Sequence, residues 1–177
     1  MNKPDDILGR WNYGNSPKFA YGDDTSYQKA IEFLDGSWTI EDWGCGTAWA
    51  KKFVKQGYYV GIDGTWSPHC DLVADLRTYK SKAEAILIRH ILEHNFRWKE
   101  ILGNALASYR KKFALILFTP FSDETKPIGM SWGTVPDLSF KKEDLLELLK
   151  HHTFTEESLK TSTQYGVEHI FYVTRSS

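Results

Sequence analysis

The stretch WTIEDWGCGTAWAKKFVKQGYYVGID, residues 38–63, decides the fold. It predicts a strand at 38–43, a glycine loop at 44–46, a helix at 48–56 and a second strand at 58–62. The helix is predicted because Trp49 and Phe53 lie one turn apart and Gly57 is a common helix stop. A strand, a glycine turn, a helix and another strand form the unit from which doubly wound α/β sheets are built.

The remaining sequence continues this alternation. Strands are predicted at 71–76, 85–88, 113–118, 155–163 and 169–174, and helices at 25–34, 98–109 and 140–150. Thr25 and Gln28 fit a capping box, and Ser139 fits an N-cap. The last two strands follow one another with no helix between them, which predicts an antiparallel pair. The sequence therefore predicts an α/β fold with a Rossmann-like, doubly wound, mainly parallel sheet and a C-terminal antiparallel hairpin.

Length and composition narrow the class of protein. The chain has 177 residues, which suits one domain, here predicted at 25–177 behind an irregular arm at 1–24. The 22 basic residues nearly balance the 23 acidic ones, which argues against a large nucleic-acid surface. There are two cysteines, Cys45 and Cys70, without CxxC spacing, and no apolar run of membrane-spanning length. We therefore expect a cytoplasmic protein without a membrane partner.

The glycine loop suggests a nucleoside site. Glycines let a ligand approach the backbone, and a carboxylate such as Asp63, at the end of the next strand, can accept both hydroxyls of a ribose. A dinucleotide site is disfavoured because Trp49 stands where GxGxxG requires its third glycine. A tight turn without any ligand remains the alternative.

Four stretches of the chain, in this order, carry a family resemblance: DWGCGT (42–47), YVGID (59–63), DLVADL (71–76) and AILIRHILEH (85–94). Together they resemble the motifs of class I S-adenosylmethionine (SAM)-dependent methyltransferases, in particular the small-molecule branch. The resemblance covers residues 25–174. The sequence departs from the family at Ala48, where a third glycine is frequent, and after Asp63, where the segment is too short for the usual helix.

The resemblance implies a role for each matching residue. The cofactor SAM would be bound by Asp42, Gly44, Cys45, Gly46, Asp63, Gly64, Asp75, Leu76 and Arg89. Among these, Asp63 would hold the ribose, Asp75 and Leu76 would flank the adenine, and Asp42 would contact the amino group or order the loop. Tyr21, Trp66 and Trp132 are the candidate walls on the substrate side. The arm, with Tyr13, Phe19 and Tyr21, stands where many related enzymes close a lid over the cofactor; packing of the arm against the domain is the alternative.

His90 and His94 are the candidates for a catalytic base, because histidine titrates near neutral pH. The same segment matches the HxxEH pattern of zinc proteases. However, we place His90 at a strand end, which breaks the helical spacing of a zinc pair, and nothing in the sequence identifies a third ligand. We therefore predict no metal.

The predicted function is SAM-dependent methyl transfer to an oxygen or nitrogen of a small-molecule acceptor, such as a metabolite or sugar. Methylation of a macromolecule (protein or RNA) is one alternative. A protein that binds SAM without catalysis is the other. The sequence does not predict an oligomeric state.

Overall fold

The computed structural model describes residues 11, 13–131 and 135–175, which form a central sheet with helices on both faces. The strands in this part of the chain are β1 (Thr39–Trp43), β2 (Tyr58–Asp63), β3 (Leu72–Val73), β4 (Ala85–Arg89), β5 (Lys112–Leu117), β6 (Lys126–Ser131), β7 (Val135–Ser139), β8 (His152–Lys160) and β9 (Val167–Arg175). The central sheet has the order β3-β2-β1-β4-β5-β9-β8. Strands β1 to β5 are parallel, while β9 runs antiparallel to both β5 and β8. This confirms the predicted Rossmann-like sheet and its C-terminal hairpin.

The α-helices of the described chain are α1 (Thr25–Leu34), α2 (Trp98–Ser108) and α3 (Lys142–Leu149). The start of α1 is as predicted, but the capping box is wrong, because Asp23 accepts the N–H of Thr25 instead. Ser139 is not the N-cap of α3, since its hydroxyl donates to the Pro120 carbonyl. No helix among the described residues is long and apolar enough to cross a membrane.

The connection from β1 to β2 is shorter than predicted. Instead of a helix over 48–56, the chain forms a 3-10 helix at Trp49–Phe53, preceded by Ala48 in the left-handed region (φ 54°). β2 starts beside the beginning of β1, so residues 49–57 must recross about 16 Å of sheet. An α-helix over these residues would span only about 13 Å. A 3-10 turn rises about 2 Å per residue and, with an extended tail, covers the distance.

Both faces of the sheet are covered, so its central strands are buried throughout. Leu115 points into a cluster with residues of α2 and α3, whereas Ile116 points into a second cluster with residues of α1. All five residues of β4 are buried. Burial on both faces explains the nearly continuous apolar runs from which these strands were predicted.

Two elements differ from the sequence-based prediction. β3 contains two residues rather than the six of 71–76, and Asp71 instead accepts the N–H of Gly61 through its side chain. No helix forms at 64–71, so a loop replaces the family's usual helix. The β6–β7 hairpin was not predicted, because Pro127 and Pro136 read as loop signals.

Candidate active site

One cavity runs along the carboxyl ends of the parallel strands. Its volume is about 1050 Å³, including space open to solvent. It passes from the loop after β1, across the ends of β2 and β3, to the end of β4 and the residues that follow it. This edge is where ligands bind in doubly wound sheets.

The glycine loop forms the floor of the cavity. A Cβ at Gly44 (φ 82°) would lie 2.0 Å from Cδ1 of Ile91, so close packing with the segment after β4 requires glycine there. A Cβ at Gly46 (φ 54°) would lie 3.5 Å from the ring of Tyr13. Cys45 also lines the cavity, and burial raises the pKa of its thiol, which therefore stays protonated. Gly46 is thus the point where the backbone faces the cavity under an aromatic ring.

Asp63 lies in the cavity at the end of β2, as the sequence predicts. Its Oδ2 accepts the N–H of Gly46 at 2.9 Å and its Oδ1 accepts the N–H of Thr65 at 3.3 Å. Burial raises the pKa of Asp63, opposed by the N–H groups of Gly46, Thr65 and Gly64. A carboxylate has about four acceptor positions, so this one retains acceptor capacity for a hydroxyl donor.

Asp42 does not line the cavity. It is 3% exposed and lies below the loop, where it accepts the hydroxyl of Tyr59 at 2.5 Å. Burial raises the pKa of Asp42 to about 7. This placement favours the loop-ordering role of the two roles predicted for Asp42.

The far end of the cavity is lined by apolar side chains and by one carboxylate, which is paired with an arginine. Leu76 and Ile101 line it together with Asp75. The guanidinium of Arg77 donates to both oxygens of Asp75, which lowers the pKa of that carboxyl. Trp66 is 67% exposed and lies outside the cavity lining, because the loop at 64–71 turns its side chain to solvent.

Arg89 and His90 share a buried carboxylate that the sequence did not indicate. Oε1 of Glu168, on β9, lies 2.8 Å from Nη2 of Arg89 and 2.6 Å from Nε2 of His90. Arg89 also donates to the Tyr21 carbonyl at 2.7 Å. Glu168 stands just before the predicted strand 169–174, and no sequence signal shows that this strand lies near β4.

His90 is neutral and enclosed in this cluster. Burial and the charge of Arg89 lower its pKa well below the usual value, so Nε2 donates its proton to Glu168. Its Nδ1 is buried and has no partner within the described residues. The backbone of His90 has φ 56°, a conformation that costs energy in a non-glycine residue.

His94 is held by a different acid. Its Nδ1 lies 3.0 Å from the carbonyl oxygen of Pro136 and 3.3 Å from Oδ1 of Asp137, both on β7. Asp137 also accepts the hydroxyls of Ser131 (2.7 Å) and Tyr165 (2.9 Å). No group of three or more metal-ligating side chains occurs in the part of the chain that the structure describes.

Aromatic side chains from the N-terminal arm cover the cavity. Trp11, Tyr13, Phe19 and Tyr21 line it, and the ring of Trp11 lies 4.9 Å from that of His94. Phe19 exchanges two hydrogen bonds with Thr47, at 3.3 and 3.0 Å, which joins the arm to the glycine loop. Trp132, the other predicted substrate wall, lies outside the described residues.

Several solved structures that are similar to this chain are methyltransferases. No protein-family model matches the sequence, and no curated protein is similar to it in sequence. The 1,6-didemethyltoxoflavin-N1-methyltransferase of Burkholderia thailandensis, solved with 1,6-didemethyltoxoflavin and S-adenosylhomocysteine (SAH), has a TM-score of 0.68 and 15% identity, over 86% of this chain and 77% of that one. The magnesium protoporphyrin IX methyltransferase of Synechocystis, solved with SAH, has a TM-score of 0.62 and 15% identity, over 93% and 91%. An S-adenosylmethionine-dependent methyltransferase of Clostridium acetobutylicum has a TM-score of 0.63 and 10% identity, over 88% and 93%. The chain has the fold of these proteins.

Proposed function

We propose that this protein is a SAM-dependent methyltransferase that acts on an oxygen or nitrogen of a small molecule. One observation carries the proposal: a single cavity joins Asp63 and Asp75, at one end, to His90 and His94 at the other. The methyltransferases with the same fold support it, two of them solved with SAH.

The residues in the cavity fit SAM. Asp63 has spare acceptor capacity for the ribose, and the apolar side chains of Leu76 and Ile101 suit an adenine face. Gly46 and Arg89 both line the cavity, and we place the methionine part between them. When bound, SAM supplies an electrophilic methyl group.

The protein's own contribution is alignment, dehydration and proton removal. Alignment of a nucleophile with a methyl group lowers the barrier, because the entropy cost of bringing the two reactants together is met when they bind. The arm's aromatic rings exclude water, and we propose that the arm acts as a lid on a single domain at 25–177. Of the two histidines, His94 is the better base, because His90 Nδ1 is enclosed.

The covered cavity favours a small acceptor over the alternatives. A protein or RNA strand would need an open groove, whereas Trp11 and Tyr13 lie over this site. A paired, cavity-facing histidine is not needed by a protein that only binds SAM. Cys45 and Cys70 are both free thiols, consistent with the cytoplasmic location that we propose.

Calorimetry with SAM, SAH and NAD tests the proposal. We expect both methionine derivatives to bind and NAD to be inert. Asp63→Ala should weaken SAH binding by about 1.5–3 kcal/mol for each charge-assisted hydrogen bond lost. Asp123→Asn, an exposed acid outside the cavity, is the matched control.

Tight NAD binding with no response to SAM or SAH would refute the proposed function. An unchanged dissociation constant in a folded Asp63→Ala variant would remove only Asp63 from the site. Circular dichroism and thermal unfolding establish that the variant is folded.

A further inference from the structure

The hydrogen bonds of His94 determine its tautomer. A carbonyl oxygen only accepts hydrogen bonds, so the 3.0 Å contact with Pro136 places the proton on Nδ1. Nε2 of the neutral ring is then a lone-pair acceptor. None of the described residues hydrogen-bonds to Nε2, and His94 lines the cavity. The structure thus presents a base with its free lone pair on the ligand side.

Asp137 is placed to stabilise this ring once it is protonated. It is fully buried, and its Oδ1 lies 3.3 Å from Nδ1 of His94. The hydroxyls of Ser131 and Tyr165 each donate to it, which keeps it ionised and oriented. A Cβ at Gly129 would lie 2.2 Å from the Tyr165 hydroxyl, so the hairpin itself is shaped around this contact.

The space beside His94 is bounded by aromatic rings. Trp11 lies 4.9 Å from the ring of His94, and Tyr21 lies 5.5 Å from the ring of His90. All four side chains line the cavity, whereas Phe118 is fully buried and packs against both histidine rings from the core. Such walls favour a flat apolar ligand by stacking and edge-to-face contacts.

We infer that the acceptor is a planar aromatic molecule with an ionisable hydroxyl, and that Asp137 is the positioning residue that makes His94 its base. This inference rests on the proposed function and assigns its acceptor class. The acidity of the hydroxyl argues in the same direction. A phenol ionises near pH 10, about 3–4 units above an ordinary histidine, whereas an aliphatic hydroxyl ionises near the value of water, about 15.7. Histidine is therefore a far better match for a phenol.

The step balances without any further reactant. The acceptor's O–H proton passes to Nε2 of His94, and the oxygen's electron pair forms a bond to the methyl carbon. The methyl–sulfur bond breaks and its electron pair returns to sulfur. Asp137 stays ionised, and His94 later releases the proton to water.

The first experiment measures binding and methylation of defined acceptors. Calorimetry first establishes SAH binding, whose absence would refute the proposed function and this inference with it. The SAH-loaded protein is then titrated with catechol, 1-naphthol and 8-hydroxyquinoline, and with cyclohexanol and methyl glucopyranoside as aliphatic controls. We expect at least one phenol to bind and to be O-methylated with SAM, and the controls to fail. SAH binding without any phenol binding, or a preference for the aliphatic hydroxyls, overturns only the inference.

The second experiment measures the pH profile of kcat with the best phenol acceptor. Asp137→Asn removes the charge that faces Nδ1 of His94 and should displace the acid limb of kcat to lower pH, because a proton on the ring is no longer stabilised by an opposite charge. The other titratable groups that face His94 are Glu93 and His90. His94→Gln should reduce turnover by about 10²–10⁴-fold, whereas His152→Gln, which loses a histidine far from the cavity, is the matched control.

Tyr165→Phe should have the opposite effect on the pH dependence to Asp137→Asn. It removes one donor from Asp137, leaves more of the carboxylate's charge for His94, and should displace the acid limb of kcat to higher pH. It also serves if Asp137→Asn does not fold. An unchanged acid limb of kcat in either folded variant overturns the positioning role of Asp137.

Discussion

The buried carboxylates Asp42, Glu93 and Asp137 differ in the direction of their pKa shifts. Asp42 and Glu93 are enclosed with few donors, and burial raises the pKa of each to about 7. Burial also raises the pKa of Asp137, but hydrogen bonds from His94, Ser131 and Tyr165 lower it by more, so the net value is below the usual one. The position of the donors, rather than depth alone, decides which acid is a reliable anion.

Asp42 should make the protein less stable as pH rises. Its pKa in the folded state, about 7, exceeds the usual 3.8, so folding favours the protonated form. Its contribution to stability is complete below about pH 4 and is lost as pH rises through about 7. Asp42→Asn should remove up to about 4 kcal/mol of this loss and match or exceed the parent in stability at about pH 8.

Urea unfolding between about pH 5 and about pH 8 measures this effect. Asp123→Asn, an exposed acid, is the control and should keep the parent's pH dependence. If Asp42→Asn and the parent lose stability in parallel, Asp42 titrates normally and its burial has no electrostatic cost.

Two elements outside the central sheet build the acceptor side of the cavity. The arm contributes aromatic rings from residues 11–21, and the β6–β7 hairpin contributes Asp137 against the 3-10 helix at Leu92–His94. The arm is attached through the paired hydrogen bonds of Phe19 and Thr47. Among the described residues, Arg89 also donates to the Tyr21 carbonyl, and Nε2 of His69 lies 2.9 Å from the Ser16 carbonyl oxygen.

Hydrogen exchange of residues 13–24 tests whether the arm is a lid. We expect rapid exchange without ligand and protection on adding SAH, because a ligand beside Gly46 would add contacts under Tyr13. Helix α1 is the internal reference, since its exchange should change little. Equal protection of the arm with and without SAH would reject the lid and leave the arm as a packed part of the domain.

The whole molecule is stabilised by two apolar clusters on opposite faces of one sheet. Neighbouring residues of β5 alternate between them, with Leu115 in one and Ile116 in the other. At the edge of the sheet, β8 alternates between exposed and partly buried residues. Substitutions on either face of a central strand should therefore destabilise the protein. On the edge strand β8, substitutions at the exposed positions should be tolerated.

Leu115→Ala and Ile116→Ala should each reduce the free energy of unfolding by about 2–5 kcal/mol, because each leaves a cavity in a packed core. Thr155→Ala, an exposed position on β8, should cost less than about 1 kcal/mol. Urea denaturation measures all three. A small loss for Ile116→Ala alone would mean that α1 does not seal its face of the sheet.

Patterns local in sequence determined much of this protein. Apolar runs predicted β4 and β5, because strands buried on both faces are apolar at nearly every position. The glycine loop and Asp63 were predicted for a related reason, since strand ends meet at one edge whenever the sheet is parallel. The placement of Gly44, Gly46, Asp63, Leu76 and His94 along one cavity therefore follows from the order of motifs.

Only the tertiary structure decided which side chains meet across elements. Glu168, on β9, contacts His90. Asp137 contacts His94 from the β6–β7 hairpin, which was not predicted because its two prolines are typical of loops. Asp42 and Trp66, which the motifs placed at the site, turned to the interior and to solvent instead. Local periodicity determines which face of a strand is apolar. The partner of a buried polar group depends on strand order and loop length, which no single segment of the sequence contains.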